Sequence, residues 1–251
     1  QSIKRTKYEE LFVYMLKMNY LKQSKKIDHG LKRDISYDKV EQFIDDLPFE
    51  LTRDQIKSVE EIYKDLTEDM RMNRLLQGDV GSGKTIVAFI TMYINYLGGY
   101  QSALMAPTEI LAQQHYQNSK ELFKKYNIDI ALLTGKTKPK EKKEIYEKLK
   151  NGTIDFIIGT HALFTDDVIY KNLGLVITDE QHRFGVNQRS NLKNKGTTPD
   201  ILYMSATPIP RTYALTLYGD MDVSNIKTLP SGKKQIITTL KTEKEIKDVL
   251  T

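Results

Sequence analysis

Gly78-Asp-Val-Gly-Ser-Gly-Lys84-Thr85 puts three glycines, a lysine and a hydroxyl into the pattern G-x-x-x-x-G-K-[ST]. Glycines at 78, 81 and 83 let backbone N–H groups turn inward around phosphate oxygens, and a helix that follows aims its positive end at the same anion. Lys84 supplies a mobile charge for the β- and γ-phosphates and Thr85 a hydroxyl for Mg²⁺, while Asp79, Val80 and Ser82 complete the loop. Well downstream, the apolar run at 173–178 ends in Asp179-Glu180. An acidic pair at the carboxyl end of a buried strand falls where open α/β sheets hold their ligands. Asp179 is suited to hold Mg²⁺ through water, and Glu180 to orient and deprotonate an attacking water. The chemistry open to these groups is hydrolysis of ATP with Mg²⁺, with Lys84, Asp179 and Glu180 as the catalytic set.

Further stretches narrow this reading. Phe49-Glu-Leu-Thr-Arg-Asp-Gln55 precedes the phosphate loop. The amide of Gln55 can pair with adenine, donor to acceptor, and Phe49 offers a stacking surface, although a glutamine on a helix is also commonly just solvated. Pro107-Thr108 follows a strand, so Thr108 caps a helix whose N-terminus could also hold a backbone phosphate. Thr134-Gly135 and Gly159-Thr160-His161 end two more strands on the edge where nucleic acid would run, and each could equally be a plain turn. His161 and His182 could be core histidines. Ser205-Ala-Thr207 could hydrogen-bond the Asp179-Glu180-Gln181-His182 segment and pass on the state of the γ-phosphate, or could simply cap locally.

The elements needed to position these groups can be read along the chain. Strands are expected at 74–76, 101–105, 130–133, 156–159, 173–178 and 201–204, and helices at 52–66, 84–97, 108–126 and 139–149. Strands alternating with helices of that length imply βαβ units, hence an α/β fold with a mostly parallel sheet and helices on both faces. Ahead of it lies a short helical segment in which Tyr8, Leu11, Phe12, Met15, Leu16 and Met18 are spaced as an apolar stripe, then a second helix at 38–44. Leu47-Pro48 marks a boundary, because the residue before proline avoids helical geometry. A strand-like run at 235–240 and the start of a charged helix at 242 close the chain.

Composition sets outer bounds. The 251 residues are 39% apolar and 28% charged, enough for one sizeable domain with a core. No run approaches the ~18 apolar residues of a membrane span, so the expectation is a cytoplasmic protein without membrane contact. The absence of cysteine excludes disulfides and thiolate chemistry. A net charge of +5 favours a polyanionic partner, and Lys136 to Lys150 concentrates seven lysines against Glu141, Glu144 and Glu147. That segment could also be a solvated helix face laced with ion pairs.

The segments GDVGSGKT, MAPTEILAQQH, DEQHRFGV and SATPIPRT together resemble the motifs of superfamily 2 helicases, in detail those of bacterial DNA helicases that remodel branched DNA. The resemblance runs from about Tyr8 through Leu229. Motif I falls on Gly78 to Thr85, the adenine-sensing glutamine on Gln55, motif Ia on Pro107-Thr108, motif II on Asp179 to His182 and motif III on Ser205 to Thr207. Transcription-repair coupling factors are similar around GDVGSGKT and SATPIPRT, but His182 favours the branch-remodelling group. The resemblance implies a RecA-like P-loop domain over residues 48–230, a helical connector over 1–47, and over 231–251 the start of a linker to a second RecA-like domain. It also implies branched DNA as partner (forks and Holliday junctions), single-stranded-DNA-binding protein as a further one, a monomeric state, and roles in repair and recombination. A wedge domain before residue 1 and a second lobe after residue 251 would complete such an enzyme. An arginine finger is worth about 10³ to 10⁵ in rate, so the expectation is that this chain alone binds nucleotide, turns over slowly and does not unwind DNA. A P-loop kinase of another class is the competing enzyme reading, but no acceptor pocket or lid can be picked out. A nucleotide-gated module without catalysis would be expected to lack Lys84 or Glu180.

Overall fold

The computed structural model describes residues 2–25, 30–179, 198–206 and 221–230. Seven strands form one sheet: β1 (Asn73–Gly78), β2 (Gln101–Met105), β3 (Ile130–Leu133), β4 (Phe156–Gly159), β5 (Leu173–Asp179), β6 (Asp200–Ser205) and β7 (Asp222–Ile226). Their order is β3-β4-β2-β5-β6-β1-β7, and every pairing is parallel. All carboxyl ends therefore share one edge.

Parallel strands buried on both faces should send alternate side chains to two cores. Leu76, Leu104, Ile158, Ile177 and Leu202 enter one cluster with Val59 and Ile62 of α3 (Arg53–Thr67) and with Ile90 and Ile94 of α4 (Lys84–Leu97). Leu75, Ala103, Ile157, Val176 and Ile201 enter the other, with Ile145 and Leu149 of α6 (Pro139–Asn151). Between them in the chain, α5 (Glu109–Leu122) starts after β2, with Tyr116 and Leu122 against the first cluster. The expected α/β layering with helices on both faces is thus present. Among the described residues the strand not anticipated is β7, whose Asp-Val-Ser-Asn-Ile lacks an apolar run because it is an edge strand with Asp222 and Asn225 open to water and Val223 half-buried.

The segment ahead of the sheet packs in two ways. Helix α1 (Ser2–Lys25) leaves its stripe unpacked, with Tyr8 at 68% exposure and Leu11 and Phe12 at 54%. The Met18 side chain lies outside the described residues. Helix α2 (Asp38–Asp45), by contrast, buries Val40 and Phe43 in the first core, where Phe43 stacks on Tyr93 at 4.3 Å. Residues 33–46 therefore share the core of the sheet, and Leu47-Pro48 is a bend in the path and no break in packing.

Arg33 fixes this attachment. Its fully buried guanidinium donates to Asp200 Oδ2 (2.7 Å), to Asn95 Oδ1 from Nε (3.0 Å) and Nη2 (2.6 Å), and to the carbonyls of Leu31, Leu66 and Gly174. The Tyr100 ring lies 5.3 Å away. Asp200 begins β6, Gly174 lies near the start of β5 and Asn95 near the end of α4, so the arginine clasps the amino edge of the sheet. Asp200 Oδ1 also accepts the Met72 N–H at 2.6 Å, just ahead of β1. Burial pushes the Asp200 carboxyl up from the usual carboxylate range, against the opposing pull of Arg33.

Candidate functional site: the carboxyl edge of the sheet

Strand β1 is held between β6 and β7 and ends at Gly78, where the chain turns sharply. Asp79 makes the turn: its Oδ1 accepts the Val80 N–H at 2.7 Å and its carbonyl accepts the Ser82 N–H at 3.1 Å. Gly81 (φ 74°) and Gly83 (φ 85°) are left-handed, a conformation costly to other residues. Gly83 is the N-cap of α4 and offers no side-chain cap. The first-turn N–H groups, with the helix dipole behind them, are therefore directed toward an anion. Lys84 Nζ donates to the carbonyls of Gly78 (2.7 Å) and Asp79 (2.9 Å). Residues Val87 to Asn95 of α4 are buried, which anchors the loop in the core.

Gln55 occupies the third position of α3 and forms a capping box with Thr52: its Oε1 accepts the Thr52 N–H at 2.8 Å and its own N–H donates to Thr52 Oγ1. Its Nε2 donates to the Ser82 carbonyl at 2.8 Å, and the side chain is buried. The glutamine thus braces the phosphate loop, and a contact with adenine would have to use its second N–H and second lone pair. A Cβ built on Gly83 would stand 2.1 Å from Gln55 Nε2. Gly83→Ala is therefore expected to lose the brace and about 1–3 kcal/mol of stability from the strained backbone, read as a lower melting temperature together with weaker nucleotide binding. Phe49 is half exposed and walls a cavity of about 620 Å³ with Leu47, Thr85, Ile86 and Phe89, but Gln55 does not line it.

Asp179 ends β5 opposite Met204 of β6, and Ser205 pairs with Gln77 of β1. The phosphate-loop strand, the Ser205 strand and the Asp179 strand are thus consecutive in the sheet, each about 4.8 Å from the next. Glu180, Gln181, His182 and Thr207 lie outside the described residues. Asp179 Oδ2 is 2.9 Å from His115 Nε2 of α5, a contact that no sequence pattern announced. It depends on β2 and β5 being neighbours, which the order of elements along the chain does not reveal.

On the other half of the sheet, Pro107-Thr108, Thr160-His161 and Thr134-Gly135 follow the adjacent strands β2, β4 and β3. Thr108 caps α5, its Oγ1 accepting the Leu111 N–H at 3.3 Å, and stays exposed. Gly135 and His161 are exposed, whereas Thr134 and Thr160 are buried. Gly159 is needed where β4 closes on β3, since a Cβ there would meet the Leu133 carbonyl at 2.0 Å. Beside these loops Lys136 pairs with Glu109 at 2.9 Å, and Glu109 holds the lysine above its usual range. The remaining lysines of that segment lie on α6 and its approach, around the buried Ile145 and Leu149, so solvation explains most of them.

Residues 52–216 match the DEAD/DEAH box helicase family. The chain is 57% identical over 233 residues to the ATP-dependent DNA helicase RecG of Staphylococcus aureus, covering 92% of this chain and 34% of that protein. It is 54% identical over 244 residues to the RecG of Staphylococcus epidermidis, covering 97% and 36%. It spans about a third of the length of these curated relatives. Among solved structures, RecG bound to a three-way DNA junction superposes with a TM-score of 0.84 at 48% identity, covering 96% of this chain and 32% of that one. The helicase MrfA bound to DNA, at 16% identity and a TM-score of 0.60 over 81% of this chain and 32% of that one, shares the fold.

Proposed function

This chain belongs to the DEAD/DEAH box helicase family, and from that premise we propose that it is the ATP-binding motor lobe of a DNA helicase that remodels branched DNA, stalled forks and Holliday junctions among them, in repair and recombination. The observation that carries this reading is the division of one sheet edge. The phosphate loop follows β1, and Ser205 and Asp179 end β6 and β5, while the loops suited to nucleic acid follow β2, β4 and β3. The relatives named RecG, and the RecG structure on a three-way junction, support the choice of branched DNA.

In this reading the N–H groups of residues 78–85 wrap the phosphates, and Lys84 exchanges its two loop carbonyls for phosphate oxygens. Phe49 bounds the space for the base, and Gln55, which does not line that space, holds the loop in register from beside it. Thr85 and Asp179 supply the hard oxygens that suit Mg²⁺, and among the described residues no group of three acidic or imidazole side chains could cage an ion without the phosphates. Bound there, magnesium would neutralise charge on the phosphoryl oxygens. Glu180 takes the proton of the attacking water as its oxygen adds to the γ-phosphorus, the bond from that phosphorus to the β–γ bridging oxygen breaks, and ADP leaves with the electron pair. Gln181, His182, Ser205 and Thr207 pass the change on. Thr108, Gly135 and His161 meet the DNA backbone through N–H groups and the α5 N-terminus, while Pro107, which has no N–H, and Thr134 and Thr160, whose N–H groups donate to Thr137 and Leu133, shape the loops that present them. A cytoplasmic monomer that also meets single-stranded-DNA-binding protein completes the proposal.

Fluorescent-ATP titration of this chain with Mg²⁺, with and without forked DNA, tests it. Saturable nucleotide binding is expected, together with DNA binding whose logarithm falls linearly with the logarithm of salt concentration. DNA binding indifferent to salt, or no nucleotide binding, would refute it.

A further inference from the structure

We propose that His115 is a positioning residue for the magnesium site, the link by which the helix that meets DNA fixes the rotation of the Asp179 carboxylate. The inference rests on the nucleotide reading above and adds a residue to it. His115 lies seven residues after Thr108, two turns down α5, on the side turned to the sheet. The ring is buried, with 7% of its side chain exposed, and stands edge-on to Phe89 of α4 at 6.4 Å and 87°. Nε2 is 2.9 Å from Asp179 Oδ2, and buried Nδ1 has no hydrogen-bond partner among the described residues.

The chemistry of the pair sets its direction. An ionised carboxylate only accepts, so the hydrogen belongs on Nε2, and a ring carrying it on Nδ1 would leave a buried donor unpaired and two lone pairs facing each other. Asp179 then spends one lone pair of Oδ2 on His115, which fixes the rotation of the carboxylate and leaves Oδ1 for another ligand. Second partners of this kind orient a carboxylate, and their loss typically costs about 10- to 100-fold in metal affinity. The same helix starts at Thr108 on the nucleic-acid half of the edge. One hydrogen bond therefore joins the two halves, and a tilt of α5 on DNA reaches the magnesium site without passing through the sheet.

The test is a Mg²⁺ titration of fluorescent ADP retention on the full chain, with thermal melting alongside. His115→Leu should raise the Mg²⁺ concentration for half-maximal retention about ten-fold or more, with metal-free ADP binding unchanged. His115→Gln, whose amide N–H reaches the place of Nε2, should recover most of that loss. His115→Asn, whose amide reaches only the place of Nδ1, should not, and it makes the comparison should the leucine chain fail to fold. Wild-type Mg²⁺ dependence in the leucine or asparagine chain would overturn the proposal, as would equal losses in glutamine and asparagine chains that track their melting temperatures. Failure of the unaltered chain to bind Mg-ADP would instead remove the nucleotide reading, and the proposal with it.

Discussion

Lys84→Ala is expected to weaken Mg-ATP binding by about ten- to a hundred-fold, the worth of a hydrogen bond to a charged group at about 1.5–3 kcal/mol. Any hydrolysis should fall further, by about 10²–10³, as when one preorganised donor is removed from developing transition-state charge. The fold should survive. Lys84 is half-buried at the mouth of the loop and its amine donates to the backbone carbonyls of Gly78 and Asp79, whereas α4 is held by the apolar residues below it. Isothermal titration with ATP beside a melting curve separates the two effects. Unchanged affinity in a folded variant would mean that nucleotide binds elsewhere.

Arg33→Met should have the largest effect on stability, about 3–5 kcal/mol, because it strands a buried carboxylate, or a fall of roughly 6–20 °C in melting temperature for a chain of this size. Asp200 is already pushed up by burial, and without the guanidinium it would go further. A carboxyl whose folded pKa is raised destabilises above its unfolded value of about 3.9 and ceases to do so as it takes up its proton. The variant should accordingly regain stability relative to the unaltered protein as the pH falls from 7 toward about 4. Asp200→Asn added to Arg33→Met should recover much of the loss at neutral pH. Urea melts at the two pH values decide the matter, and a loss below 1 kcal/mol with no pH trend would exclude a stranded charge.

Fold class and the glycine-rich turn that opens α4 were legible in the sequence because both are local. Alternating apolar strands and amphipathic helices carry their own periods, and Gly78 to Thr85 carries its chemistry within eight residues. What resisted reading depends on contacts between distant residues. Arg33 looks like one more surface cation until Asp200, Asn95 and Gly174 surround it. The role of His115 depends on β2 lying beside β5. Gln55 illustrates a third case: its residue type suits adenine, but its nearer partners are the Thr52 N–H and the Ser82 carbonyl, neither of which a residue type alone predicts. The stripe on α1 had the spacing of a packed helix without a partner in the described residues to pack on, since period reports which side is apolar and not what covers it.

The strand order also acts as a ruler. Thr108, His161 and Gly135 sit at the ends of three consecutive strands, so the loops suited to nucleic acid subtend two interstrand spacings, about 10 Å. A duplex strand advances about 3.4 Å per nucleotide along its axis. In the proposed reading the footprint of this half of the edge is then about four phosphates, and the next would lie over β5, beside the carboxylate of Asp179.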